Sequence, residues 1–376
     1  MTTISTVRPT SLATLRDAVL DTAGPLGIAG AGTAADWAGR LDPVSTVLDT
    51  TGMTGVIVHN PGDMTVAVHA GTPLRVLAEE LAAHGQHVAF DAARVDAGAT
   101  VGGLFATADS GPGALTHGSL RDLVIGVTMV LADGTVARSG GHVIKNVAGY
   151  DLAKVLHGSF GTLGVLAQVV LRLHPVPKAS GTVGVNCSLA DAAELAATVL
   201  AGPFEPAACE WISTDGAGAG TLLIRLDGTP DALPDRTERL CAAVEAPDAT
   251  SDEAGTDPWG RHAELTRGAA DGAVLRIGVR PSRLVEVLSA LPATAVTAGL
   301  GTGIATVTLD PDAVADAHAT VHAAGGTSTL RARPAGSDAP AWGPPPSALG
   351  LLTAIKAELD PDGRFGPGRF TPWMAR

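Results

Sequence analysis

Cysteine is scarce in this chain and widely spaced: Cys187, Cys209 and Cys241 are the only three. No C-x-x-C occurs, so the usual ligand spacing of an iron–sulfur cluster or a structural zinc site is missing. An odd, dispersed set implies no disulfide framework. Lysine is just as rare, at Lys145, Lys154, Lys178 and Lys356, and the net charge is −13. That balance excludes a nucleic-acid partner, which needs clustered Lys and Arg. No run of about eighteen apolar residues occurs, and the first nineteen residues lack an apolar signal core. The expectation is a cytoplasmic protein with no direct membrane insertion, meeting a membrane only through partners. No G-x-S-x-G nucleophile motif is present, and no histidine pair reads as metal ligands on a convincing helix face, His84 and His87 flanking Gly85.

What the chain has in quantity is small and apolar residues: 47 glycines, and 45% hydrophobic against 17% charged. A sizeable core is therefore possible over 376 residues, a length that fits two domains or one with a large insertion. Residues 11–21 carry Leu12, Leu15 and Val19 at helical spacing. PLGIAGAGT reads as a strand and a glycine turn, STVLDT (45–50) and MTVAV (64–68) as strands. In TPLRVLAEELAAHGQ, Thr72 is placed to cap, Pro73 to open, Leu74, Leu77 and Leu81 to line, and Gly85 to end a helix. VIGVTMVLADGTVARSGG predicts a hairpin turning at Asp133-Gly134. The order is mixed, without regular strand–helix alternation, so the fold class is α+β. After Pro175 and Pro177 the texture changes to Ala-rich helical patterns with a few strands, LLIRL (222–226) and VLRIGV (274–279) among them. A Pro-rich stretch at 340–347 leads to a last helix and the tail LDPDGRFGPGRF. No internal repeat is visible.

Three glycine-rich segments are candidate sites. Gly30-Ala31-Gly32-Thr33-Ala34-Ala35 fits G-x-G-x-x-A after a strand, with Asp49 some twenty residues on. A Rossmann loop, a plain structural turn and a phosphate cradle of another fold all fit it. The following AADWAGRLDP is too short and too broken for a crossover helix. Asp96 to Gly103, running on into LFATADSG, has tiny side chains over a long run. It reads as a surface loop, or as a backbone wall against a flat ring with Thr100, Thr107 and Ser110 as hydroxyl partners. Gly140 to Leu173 packs Gly149, Gly158, Gly161 and Gly164 around the helical piece Tyr150 to Leu156, then the buried strand Val165 to Leu173. Tight backbone of this kind suits a surface that donates N–H groups to a large polar cofactor. His117, His142 and His157 lie near these glycines. Arg225, Arg276 and Arg280 in the second half are placed either to hold a carboxylate or to lie at the surface.

Four segments in order, IAGAGTAAD, DAGATVGGLFATADSG, HGSLRDLVIGVTMVLADG and KNVAGYDLAKVLHGSFGTLGV, resemble flavoproteins of the vanillyl-alcohol oxidase type, the PCMH-type FAD-binding fold. Within that group the chain resembles the E-type FAD-binding subunits of glycolate oxidase, down to the terminal LDPDGRFGPGR. The resemblance implies a PCMH-type FAD-binding domain of two α/β subdomains (1–178), a smaller α+β cap domain (179–340) and a C-terminal segment (341–376) returning to the first. It implies FAD, non-covalently bound. Gly30, Ala31, Gly32, Thr33 and Ala34 would cradle the pyrophosphate. Gly98, Ala99, Thr100, Val101, Gly102 and Gly103, with Thr107 and Ser110, would line the flavin and ribityl portion. Ser159, Gly161, Thr162, Leu163, Gly164 and Val165 would offer main-chain groups, Val165 near the adenine end, and Arg369 would come back from the C-terminus.

It also implies partners: a larger FAD-containing subunit, an iron–sulfur subunit, and a small 2-hydroxy acid such as glycolate as substrate. Two departures stand out. The H-x-G-D-G-N-x-H motif of self-sufficient relatives is absent, the nearest thing being His322-Ala323-Ala324-Gly325-Gly326. Ala148 stands where those relatives carry a substrate-binding threonine. A self-sufficient D-2-hydroxy-acid dehydrogenase and a non-catalytic assembly partner without cofactor are the alternatives.

Overall fold

A computed structural model describes residues 4–143, 151–245 and 257–374. The chain divides into two compact units. One comprises Met1–Ser110, His117–Val176 and Pro345–Arg376; the other comprises Gly111–Thr116 and Pro177–Pro344.

The first unit holds two main sheets. In the smaller, Thr46–Asp49 runs parallel between Ser5–Val7 and Leu26–Ala29. In the larger, five antiparallel strands run in the order Val56–Asn60, Thr65–His69, Val165–Arg172, Val124–Val130, Val136–Gly140. Val165–Arg172 is central, which explains its near-continuous Val and Leu: both of its faces are covered. The helix Leu12–Asp21 starts on a capping box in which Ser11 accepts from the Thr14 N–H. Its Leu15 and Val19 share a core with Leu26, Leu48, Val165 and Phe365. The helix Leu74–Ala82 buries Leu74, Leu77 and Leu81 against the larger sheet.

Thr72 does not cap that helix. Pro73 holds the cap position, with no side-chain capping bond. The Thr72 hydroxyl instead accepts from the Gly55 N–H (2.9 Å) and donates to the His69 carbonyl (2.7 Å), pinning the turn before the helix. The run after Gly98 is not a loop throughout: Val101–Ala106 is a helix, with Thr100 as its cap.

The C-terminal segment belongs to this unit through a dense set of polar contacts. Phe365 bridges Leu26 as a short parallel pair. The Asp360 carboxylate, 2% exposed as a residue, pairs with Lys356 at 2.5 Å and accepts from the N–H groups of Arg364 (2.9 Å) and Phe365 (2.7 Å). The Arg364 guanidinium donates to the carbonyls of Val19, Thr22 and Ala132.

The second unit is a seven-stranded antiparallel sheet. Its order is Ala179–Ser188, Ala219–Gly228, Ala208–Ser213, Ala295–Gly299, Ile304–Leu309, Ala273–Gly278, Thr327–Ala332. Helices Leu189–Ala201, Leu233–Ala243, Pro281–Ser289 and Val314–Ala323 supply residues to one core on one sheet face. The helix Pro258–Arg267 meets the opposite face, where His262 Nε2 lies 3.2 Å from Glu210 Oε2. The sequence predicts few strands here and no repeat; the structure contains both. Residues 273–332 run strand–helix–strand–strand–helix–strand, residues 179–243 run through the same series without its last strand, and the halves join where Ala208–Ser213 pairs with Ala295–Gly299. What repeats is the order of elements, which sequences carry without shared residues.

A short antiparallel pair, Gln86–His87 with His174–Pro175, sets up one pH dependence. Burial, then the neighbouring His117, Arg172 and His87, push the His174 imidazole down to about 4. The unfolded chain protonates this ring near the ordinary 6.5 and the folded chain only near 4, so the stabilisation is complete above 6.5 and is lost as pH falls through that window. Melting temperature is expected to fall between pH 7 and pH 4.5, less steeply for His174→Gln than for the native chain. Parallel slopes for the two proteins would contradict this assignment.

Candidate functional site

Strand Leu26–Ala29 ends at the edge of a cleft in the first unit, and the chain turns there on small residues. Gly30, Ala31, Gly32, Thr33 and Ala34 all line it. Gly30 has no alternative: a Cβ there would stand 2.5 Å from the Thr100 hydroxyl oxygen. Gly32 is at φ +76°, and a Cβ on it would meet nothing within 4 Å. It faces open space in a backbone conformation that favours glycine.

From the second predicted segment the structure brings Thr100, Gly102, Gly103 and Thr107 to the cleft, and from the third Ser159, Gly161 and Gly164, with Arg369 joining them. Seven predicted residues do not line it. Val101 and Val165 are fully buried, their side chains in the two cores of this unit. Ala99 is buried with them, and Gly98 turns the chain at φ +83°. The buried Thr162 hydroxyl donates to the Ser159 carbonyl at 2.7 Å, and the Ser110 N–H donates to the Asp109 carboxylate. Leu163 is buried in the core as well.

Main-chain bonding separates a donor wall from a contact wall. The N–H groups of Ala31, Gly32, Thr33 and Ala34 make no backbone hydrogen bond among the described residues. In the second segment the donors are already in use. Val101 N–H goes to the Thr72 carbonyl, Gly102 N–H to Ala70 (2.8 Å) and Gly103 N–H to the Thr100 hydroxyl (3.1 Å). The Thr107 hydroxyl likewise donates to the Gly103 carbonyl. This segment therefore offers a close-approach backbone surface, while the Thr100 and Thr107 hydroxyls expected as cofactor partners are engaged within the chain.

Charged and strained residues also stand here, and no sequence motif marks them. Arg94 (6% exposed) and Asp109 (1% exposed) both line the cleft. The Arg94 guanidinium carbon lies 4.0 Å from the centroid of the Trp37 ring, a cation–π stack. Arg369 Nη1 donates to the carbonyls of Ala35, Trp37 and Gly39, fixing the far side of the glycine turn. Phe160, in the wall, sits at φ +52°, and Ala108, beside the lining residues Thr107 and Asp109, at φ +50°. Such conformations are costly without glycine and concentrate at sites of function. A lone Arg and a lone Asp carry no spacing signal, so only the packing exposes them.

The other candidates lie elsewhere. His142 Nδ1 is 2.9 Å from the Thr65 hydroxyl, and His157 stacks edge-on with Phe105 at 5.4 Å. Neither lines the cleft, and nor does His117, which packs on His174. Arg225 is half-buried with its guanidinium 5.0 Å from the Trp259 ring, and three strands separate its strand from that of Arg276. Arg280 is exposed at a helix cap, so the three arginines form no joint site. His262 pairs with Glu210, and His318 is held by Ser328 (2.6 Å) and the Pro340 carbonyl (3.1 Å). His322 is exposed at a helix end. Lys145, Asn146, Ala148, Gly149 and Tyr150 lie outside the described residues. Among the described residues no group of three or more His, Cys, Asp or Glu is placed to hold a metal ion, and no helix is long and apolar enough to cross a membrane.

Residues 5–140 match the family model described as FAD binding domain. The glycolate oxidase subunit GlcE of Escherichia coli is 35% identical over 145 residues, which is 39% of this chain and 41% of that protein. A mitochondrial D-lactate dehydrogenase (cytochrome) of Arabidopsis thaliana is 38% identical over 142 residues, 37% of this chain and 24% of that one. The glycolate oxidase subunit GlcD of Bacillus subtilis is 32% identical over 167 residues, covering 40% and 36%. The matched region thus spans less than half the length of each of these relatives. A solved structure of alkyldihydroxyacetonephosphate synthase superposes with a TM-score of 0.67, covering 96% of this chain and 75% of that one at 16% identity, a likeness of fold.

Proposed function

We propose, from the premise that residues 5–140 are a PCMH-type FAD-binding domain with FAD as its cofactor, that this chain is an FAD-dependent oxidoreductase subunit acting on a 2-hydroxy acid within a glycolate-oxidase-like complex. The observation that carries the reading is the turn Ala31–Ala34: four consecutive N–H groups without a backbone partner, small side chains, and a glycine facing open space. Such a nest binds an anionic group, here the pyrophosphate. Thr100, Gly102, Gly103 and Thr107 would lie against the flat or flexible part of the cofactor by contact. Ser159, Gly161 and Gly164 would close the opposite wall. Arg369 is a positioning residue, holding the carbonyls of Ala35, Trp37 and Gly39 so that the turn keeps its shape. Bound FAD supplies a two-electron acceptor for the hydride on the α-carbon of the hydroxy acid, while the chain binds, orients and excludes water. The cleft lining contains no His, Cys or Tyr among the described residues, which supports non-covalent attachment.

The partner side of the proposal rests on the chemistry that this chain lacks. It has no cluster-ligand spacing, so electrons leave through another protein, by analogy an iron–sulfur subunit beside a larger FAD subunit. The two histidines buried in the second unit are held by internal partners, which favours an accessory over a self-sufficient role. The test is anaerobic flavin bleaching. Co-purified with its partners, the complex should lose its flavin absorption on adding glycolate or D-lactate, and acid denaturation should release free FAD. The reading falls if the assembled complex stays oxidised with both acids. Fast bleaching of the isolated chain would favour the self-sufficient dehydrogenase. A preparation that stays colourless after incubation with FAD would favour the assembly partner.

A further inference from the structure

We infer that Arg94, whose guanidinium carbon lies over the Trp37 ring, is the cation that anchors the phosphate-bearing half of the cofactor in the cleft. The inference rests on the reading that this cleft holds FAD, and it assigns a residue that no glycine motif marks.

Two closures place Arg94 beside the Ala31–Ala34 turn. From one side, the Trp37 N–H donates to the Ala34 carbonyl (3.2 Å), and the Trp37 ring carries the guanidinium at 4.0 Å. From the other, the Ala99 N–H donates to the Arg94 carbonyl (3.2 Å), and the next residue, Thr100, presses its hydroxyl against Gly30. The side chain is thus tied to the segment that follows the turn, and the main chain to the segment that packs on its start. The guanidinium carries five N–H donors in a planar fork, a geometry that matches phosphate oxygens. The other lining arginine, Arg369, serves three carbonyls of the 35–39 turn through Nη1. Arg94, at 6% exposure, puts a cation in the lining beside a turn of N–H donors, with the Asp109 carboxylate also in the lining. The ligand chemistry that this cation and these donors select is an anionic diphosphate rather than the neutral ring system.

Equilibrium binding by the full-length apo chain tests this with three probes: FAD, ADP as the phosphate half, and riboflavin as the phosphate-free half. Arg94→Met should weaken FAD and ADP by about 30-fold or more, the scale of a lost charge-assisted hydrogen bond, and leave riboflavin within about twofold. Arg94→Lys should recover part of the loss. Equal weakening of all three probes, or none, overturns the inference, since the first marks a purely structural residue and the second an idle one. Should Arg94→Met fail to fold, a second variant decides the matter. Arg94→Gln, which keeps N–H donors without the charge, then carries the same comparison: selective weakening of FAD and ADP relative to the native protein supports the inference, and equal weakening of all three probes or none overturns it. Native protein that binds none of the probes would instead defeat the FAD reading itself.

Discussion

Gly32→Asp is expected to lower FAD affinity by about 100-fold or more, the cost of placing a like charge against a bound anion, while leaving the apo fold largely intact. The position has room, since a Cβ there meets nothing within 4 Å. Aspartate and asparagine tolerate the left-handed backbone better than other side chains, so the conformational cost at φ +76° stays near about 1 kcal/mol. Gly32→Asn is the matched control, equal in size and neutral. Its FAD affinity should stay within about tenfold of native, because it brings bulk without charge. Flavin fluorescence quenching gives the affinities, and thermal melting of the apo proteins gives the fold control. The difference between Asp and Asn isolates the electrostatic part. If the two variants bind FAD equally well, no phosphate lies at this turn.

The second large effect concerns the C-terminal segment. Asp360→Ala should destabilise the first unit by about 3–5 kcal/mol, the range for removing one partner of a buried ion pair. The loss has identifiable parts. Lys356 keeps the carbonyls of Thr162 and Phe365 but loses its counter-charge, and the N–H groups of Arg364 and Phe365 lose their acceptor. Asp360→Asn retains an acceptor oxygen without the charge and should fall between the two. Phe365 pairs with Leu26, at the start of the strand that leads into the glycine turn, so the Ala variant should also release FAD more readily. Chemical denaturation monitored in the presence and absence of FAD measures both. A loss under about 1 kcal/mol would mean that the segment is only loosely attached.

Much of this site is legible in the sequence, and the failures have physical reasons. The Gly30–Ala34 turn can be read because tight backbone after a strand needs small residues in a row. The hairpin at Asp133-Gly134 and the face of Leu74, Leu77 and Leu81 can be read because turn chemistry and helical period are local. Thr72 defeats a local reading because its hydroxyl is claimed by Gly55, a residue seventeen positions away. The Gly98–Gly103 run reads as a backbone wall with hydroxyl partners, yet the Thr100 hydroxyl accepts from the Gly103 N–H and the Thr107 hydroxyl donates to the Gly103 carbonyl, partners fixed only by the folded chain. Arg94 and Asp109 leave no pattern at all, since burial and stacking are properties of packing. The second unit reveals only a few of its seven strands for a related reason. Its residues alternate between an apolar core face and a polar face rich in Thr, Ser and Arg, and runs of alanine blur the period of two.

Under the proposed reading, cofactor binding turns on four main-chain donors, and amide-resolved hydrogen exchange of the full chain with and without FAD probes them directly. On adding FAD, the amides of Ala31, Gly32, Thr33 and Ala34 should slow markedly, while those of Val101, Gly102 and Gly103, already bonded inside the protein, should change little. FAD binding that leaves the Ala31–Ala34 amides exchanging as fast as in the apo chain would contradict the assignment of this turn.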